Sequence, residues 1–308
     1  MSRARIVLGA CAAALFAPAV LAPRQDVTID VEHVAGPVHV LTGRGGNVGL
    51  SIGPDGVLMI DDQFANLAEK IDAAVEAAAQ AGVEDGVEDG VEDGAEDGID
   101  AHARLLLNTH WHGDHTGGNA YFGQTATIFA HQNVRARLVQ DGREAVALPV
   151  VTYADGISIH FNGEEIRVFH LPDAHTDGDS AVWFSGSKVL HAGDLCFSNA
   201  FPYVDLDSGG TFAGYLAALD ELIERLPPGA AVIPGHGPLT DAAGLRACRE
   251  MLATVVERVR AALAEGKSAA DMKADGLLDD LAERWEPQGA FIDRGRMIDI
   301  AARGLQDE

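Results

Sequence analysis

Asn108-Thr109-His110-Trp111-His112-Gly113-Asp114-His115-Thr116-Gly117-Gly118-Asn119 concentrates more chemistry than any other part of the chain. The apolar run Leu105-Leu106-Leu107 before it reads as a buried strand. Gly117 and Gly118 near its end allow a tight turn into the next element. Three imidazoles and one carboxylate therefore fall in a loop at a strand end. Neutral imidazole and carboxylate are ligands that suit Zn²⁺ and similar transition metals. Packing alone does not explain four such groups in six residues, because each would need a partner if buried. Their spacing divides them between two ions. His110 and His112, two apart on extended backbone, point the same way; Asp114 and His115, past the turn at Gly113, face a second ion.

His110-Trp111-His112-Gly113-Asp114-His115 resembles the HxHxDH signature of the metallo-β-lactamase superfamily. The family's later metal positions find matches in order: His175 in Pro172-Asp173-Ala174-His175-Thr176, Asp194 in Ala192-Gly193-Asp194-Leu195, and His236 in Pro234-Gly235-His236-Gly237-Pro238. Each falls at the end of an expected strand, and the resemblance covers roughly residues 35 to 240. It implies an α+β four-layer αββα sandwich, with two mixed sheets and helices on the outer faces. It also implies two zinc ions. His110, His112 and His175 hold one, Asp114, His115 and His236 hold the other, and Asp194 bridges. Two zincs about 3.5–4 Å apart share a water whose pKa falls toward roughly 7, which supplies a hydroxide nucleophile. One ion then polarises the carbonyl and the other stabilises the leaving atom. Asp114 acts as the catalytic residue that orients the nucleophile and passes its proton on. Structural zinc sites are closed, Cys-rich shells, unlike this set.

The expected reaction is hydrolysis of an acyl bond, whether lactam, lactone, ester or thioester, in a small-molecule substrate. Asp194 stands where one large β-lactamase subclass has Cys, and Phe197 where that subclass has a carboxylate-binding Lys, which weakens a β-lactamase reading. The lack of a basic C-terminal region to hold a glutathione thioester argues against glyoxalase II. The alternatives are a β-lactamase proper, a one-iron oxidoreductase resembling the persulfide dioxygenases, and a non-catalytic metal-binding module. Metal content separates them: two Zn for the hydrolase, one Fe for the oxygenase.

The chain has 308 residues, 47% of them apolar, which is enough for a sizeable core. Residues 1–22 read as a signal peptide, with Arg3 and Arg5, an apolar run from Ile6 to Val20, and small residues at Val20-Leu21-Ala22. An apolar run of about 15 residues is short for a membrane span. Export to the periplasm or medium is expected, with residues 23–308 as one metallo-β-lactamase-like domain. Removing the signal leaves Cys196 and Cys248, which make no disulfide framework. Nothing in the sequence brings them together, and Cys196 reads as a small apolar strand residue. A net charge of −25 argues against nucleic acid and anionic membrane as partners.

Residues 27–60 read as β-hairpins with Gly-rich turns. By the resemblance, the loop Gly43-Arg44-Gly45-Gly46-Asn47 overhangs the site, making Arg44 a candidate substrate contact. Phe64 to Gln80 is an expected helix with Leu67, Ile71 and Val75 in one apolar stripe. Residues 82–97 repeat Gly-Val-Glu-Asp, a period that disfavours helix and core, and are expected to be disordered. Strands fall in two blocks, 27–60 and 104–191, each followed by helix, which suggests two sheets with helices outside. Residues 241–308 read as a helical C-terminal part. The loop from Ser198 to Thr211 offers Phe201 and Tyr203 as apolar substrate contacts. Its Asp205 and Asp207 are expected to repel carboxylate-bearing substrates.

Overall fold

Period-two alternation sorts the apolar residues into layers. On Gly56–Ile60, Val57 and Met59 face one way and Leu58 and Ile60 the other, because successive strand side chains point to opposite faces. All four are buried, so this strand has protein on both sides. The structure is a computed structural model that describes residues 27–85 and 101–306. The expected signal peptide and the repeat from residue 86 onward lie outside the described residues.

The first sheet runs in sequence order: β1 (Asp30–Ala35), β2 (Val38–Thr42), β3 (Val48–Gly53), β4 (Gly56–Ile60), β5 (Ala103–Asn108), β6 (Thr127–His131) and β7 (Val151–Tyr153). The first four strands pair antiparallel, and β4 to β7 pair parallel. The second sheet holds β8 (Gly156–Phe161), β9 (Glu164–His170), β10 (Ser180–Phe184), β11 (Val189–Phe197), β12 (Ala231–His236) and β13 (Thr240–Asp241). It is antiparallel except for the β11–β12 pair. Between the sheets lies one core, where Val38, Val40, Leu58, Ile60 and Leu107 meet Ile166, Val168, Val182, Phe184 and Ile233.

The helices are α1 (Ala68–Asp85), α2 (Gly113–Thr116), α3 (Asn119–Phe122), α4 (Gln132–Gln140), α5 (Phe212–Arg225), α6 (Ala242–Ala264), α7 (Ala269–Ala274), α8 (Asp279–Trp285) and α9 (Arg294–Gly304). α1 seals the outer face of the first sheet, with Ile71 and Val75 packed among Leu50, Met59 and Leu106. α5, α6 and α9 seal the second, with Leu219, Leu252 and Met297 packed among Ala181, Leu190 and Val232. The result is the αββα sandwich expected from the sequence.

The sheets divide between Tyr153 and Gly156, inside the second strand block. β5, β6 and β7 add parallel strands to the first sheet, a long-range pairing that no local pattern specifies. Two boundaries differ from expectation. The helix starts at Ala68, after a 3₁₀ turn over Ala65–Leu67, and continues to Asp85 through the first Gly-Val-Glu-Asp quartet. Gly82 costs about 1 kcal/mol in a helix, but adding residues to a formed helix needs no new nucleus. Finally, Asp194 lies inside β11, where the register with β12 shifts and Gly193 takes φ +51°.

Candidate metal centre

The motif loop is clipped shut at its ends. Asn108, the last residue of β5, and Asn119, the first of α3, exchange amide hydrogen bonds of 3.0 and 2.9 Å. Asp61, just past β4, anchors the loop from beside. It accepts from the Thr109 backbone N–H at 2.7 Å, the Thr109 hydroxyl at 2.7 Å and His115 Nδ1 at 2.7 Å. Asp61 does this at φ +64°, a conformation costly for a residue other than Gly, so the surrounding bonds must hold it there. Two residues on, Gln63 donates to the Gly46 carbonyl at 2.7 Å, and the Gly46 N–H donates to the Asp114 carbonyl at 3.1 Å. The β2–β3 loop thus lies on the motif. Gly46 is required by that approach, because a Cβ there would fall 2.1 Å from the His115 ring.

The ligand atoms gather in two groups. In the first, His112 Nδ1 is 3.1 Å from His110 Nε2 and 2.9 Å from His175 Nε2. In the second, His236 Nε2 is 3.4 Å from His115 Nε2 and 3.3 Å from Asp114 Oδ2. Asp194 stands between them and divides its carboxylate. Oδ2 lies 3.4 Å from His175 Nε2 and 3.7 Å from His110 Nε2, while Oδ1 lies 3.0 Å from His115 Nε2 and 3.4 Å from His236 Nε2. All seven expected ligands come together, in the expected partition.

Four imidazoles are fixed from behind through the nitrogen that faces away from the cluster. His110 Nδ1 meets the Thr109 hydroxyl at 3.0 Å, and His112 Nε2 donates to Asp205 Oδ2 at 2.9 Å. His115 Nδ1 donates to Asp61, and His175 Nδ1 to the Tyr203 carbonyl at 2.7 Å. Such bonds set the tautomer and the ring orientation of a metal-binding histidine. Sequence reasoning misses Asp61 and Gln63 as parts of the site, and misses that Asp205 braces His112. A polar Asp61-Asp62-Gln63 directly after an apolar strand is the available signal for the first two.

The electrostatics suit a cation. Burial holds His110 well below the ordinary histidine range and takes His175 down to about 4, so both are neutral at pH 7, the form that ligates. Burial also opposes a proton on His115 and His236. There the neighbouring carboxylates, Asp194 foremost, outweigh it, holding His115 well above its usual range and His236 at about 9. Burial would raise the Asp194 carboxyl, but His115, His236 and His110 keep it well below the usual carboxylate range. Protons on His115 and His236 thus sit where a metal ion would replace them. Asp194 Oδ1 is buried with no hydrogen bond of acceptable geometry, despite His115 Nε2 at 3.0 Å. Five imidazoles and two carboxylates, with one carboxylate oxygen left over, fit a pair of divalent cations.

The expected substrate contacts fare unevenly. Tyr203 is at the site, its ring 5.9 Å from that of His112 and 6.0 Å from that of His175. Arg44 is exposed on the β2–β3 loop beside the motif. Phe201 is a correction: it is 1% exposed, packed in the core under the second sheet, with its N–H donating to the Trp285 carbonyl at 2.8 Å. Phe197 stacks on His236 at 4.9 Å. Asp205 and Asp207, expected to repel anionic substrates, both have partners. Asp205 is buried and committed to His112 and the Ser208 N–H, and Asp207 pairs with Arg303. His131 caps α4, accepting from the Asn133 N–H at its start. Cys196 and Cys248 do meet, as buried free thiols with sulfurs 3.8 Å apart.

Fold and site together define an αββα sandwich with a His-rich candidate metal centre at one edge of its sheets. Residues 102–236 match the model of the metallo-beta-lactamase superfamily. Among curated proteins it is 24% identical over 140 residues to "Metallo-beta-lactamase type 2" of Bacteroides fragilis, covering 44% of this chain and 55% of the relative. It is 32% identical over 133 residues to "Hydroxyacylglutathione hydrolase" of Rhodospirillum rubrum, covering 42% and 47%. The chain therefore spans about half the length of the curated relatives it matches. Among solved structures it superposes on a metallo-beta-lactamase from Pontibacter korlensis with a TM-score of 0.60 at 18% identity, covering 73% of this chain and 99% of that one. That likeness shows the fold.

Proposed function

We propose that this protein is an exported dinuclear zinc hydrolase that cleaves an acyl bond. The observation that carries the reading is Asp194, which presents one carboxylate oxygen to each group of ligand atoms. That arrangement suits two ions held side by side. When bound, a zinc pair supplies Lewis-acid activation of the carbonyl and a water of lowered pKa.

The chain's own residues supply the rest. Thr109, Asp205, Asp61 and the Tyr203 carbonyl hold four imidazoles in one orientation, which keeps the site preorganised. Asp114 differs from Asp194 in access: its side chain is 27% exposed against 4%. Asp114 is therefore the carboxylate able to meet a substrate atom and carry a proton to the leaving group, with His236 Nε2 at 3.3 Å to steady Oδ2. The basic-then-apolar pattern of residues 1–22 supports export.

Lactam, lactone, ester and thioester all remain in the substrate class. The named relatives favour two of them: a β-lactam for the Bacteroides fragilis protein and an acylglutathione thioester for the Rhodospirillum rubrum protein. The latter likeness restores a thioester reading that the sequence alone disfavours. Assaying the zinc-loaded protein on a chromogenic cephalosporin, a lactone, a nitrophenyl ester and an acylglutathione tests the proposal. Turnover of at least one, abolished by chelator and restored by zinc, is expected. Bound zinc with no turnover of any of them would reject it.

A further inference from the structure

The rings around His112 continue outward onto the C-terminal helical part, beyond the segment matched to the superfamily. Tyr203, whose ring flanks His112 and His175, meets the Phe291 ring edge-on at 6.0 Å. Phe291 sits between α8 and α9 and is 65% exposed. Its position is nevertheless fixed. The next residue, Ile292, is buried in the core under the second sheet. The Arg296 guanidinium lies 4.4 Å over the Phe291 ring and also donates to the Phe291 carbonyl at 3.0 Å. The C-terminal part is tied to the loop carrying Tyr203 by the Phe201–Trp285 backbone bond and the Arg303–Asp207 ion pair. An apolar ring held in water by three separate restraints is placed to be covered.

We propose that Phe291 and Tyr203 form a subsite for an aromatic or extended apolar group on the acyl substrate, so that the C-terminal part sets specificity while residues 110–236 hold the metals. This rests on the hydrolase reading for its setting and deepens it by naming the substrate class. Contact with Phe291 covers an exposed ring and adds an aromatic pair, together worth roughly tenfold in affinity. A substrate with a small acyl group would end short of it.

The test is calorimetric titration of the zinc-loaded protein with 2-phenylethanethiol and with propane-1-thiol, which share a metal-seeking thiol and differ in the ring. The expected result is about tenfold tighter binding of the phenyl compound, falling to within twofold in Phe291→Ala and retained in Phe291→Tyr. An exposed ring carries little of the fold, so the alanine variant should remain folded. Equal affinity of the two thiols for the unmodified protein, or a phenyl advantage that survives Phe291→Ala, overturns the subsite. Turnover of nitrophenyl phenylacetate and nitrophenyl acetate is read on the same samples. No turnover with an intact phenyl advantage rejects the hydrolase reading alone.

Discussion

Among single residues, two carboxylates that contact different imidazoles have different work. Asp114 reaches solvent and lies in the second group of candidate ligands, so in the proposed function it both holds an ion and moves a proton. Asp114→Asn keeps the shape and removes the charge. It should lower kcat by about 100-fold or more, change KM little, and weaken one of two bound zincs; wild-type kcat in that variant would remove Asp114 from the proposed role. Asp205 acts at one remove, through its 2.9 Å bond to His112 Nε2. Asp205→Ala should loosen the ion held by His110, His112 and His175 by roughly 10- to 100-fold, measured by competition with a zinc-binding dye. Unchanged affinity would mean that packing alone orients His112. The seven candidate ligands are legible in the sequence because metal chemistry restricts residue type and the motif compresses four of them into six positions. Asp205 is not, since its meaning depends on a contact between residues 93 apart in the chain.

Among the elements, the strand ends and the turns beyond them build the site. β5, β11 and β12 deliver Asn108, Asp194 and His236 to the same edge, and the polar turn after β4 braces them. Strand and helix positions are readable from period-two alternation and amphipathic stripes, and the Asn162-Gly163 turn of the β8–β9 hairpin from its left-handed preference. The parallel pairing of β4 with β5 is not readable, because the residues between them carry no register information. One element invites a pH test. His131 caps α4 and stacks on His170 at 3.7 Å. Burial, helped by His170, lowers it to about 4. Its folded pKa is thus below the unfolded value near 6.5, so the stability it confers is full above pH 6.5 and lost as pH falls toward 4. His131→Asn keeps a capping side chain without the titration. Between pH 7 and pH 4.5, wild type should lose on the order of 2–3 kcal/mol more stability than the variant in urea unfolding. Equal losses would place the acid sensitivity elsewhere.

Over the whole molecule, three cores stack in sequence: α1 on the first sheet, sheet on sheet, and the second sheet on α5, α6 and α9. From residue 86 onward the acidic repeat falls in the chain between α1 and β5. Removing residues 86–97 should shift the melting temperature by no more than about 2–3 °C, since the closure entropy of a connection changes only slowly with its length. A loss of ten degrees would show that the repeat belongs to the fold. All of the proposed chemistry depends on one edge of this sandwich holding two metal ions through seven named side chains. Metal content by plasma mass spectrometry, after dialysis against zinc and then buffer, decides this in the unmodified protein, His175→Ala and His236→Ala. Two zincs per chain are expected, falling to about one in each variant. One ion or none in the unmodified protein, or a content that neither substitution changes, would rule out the dinuclear centre.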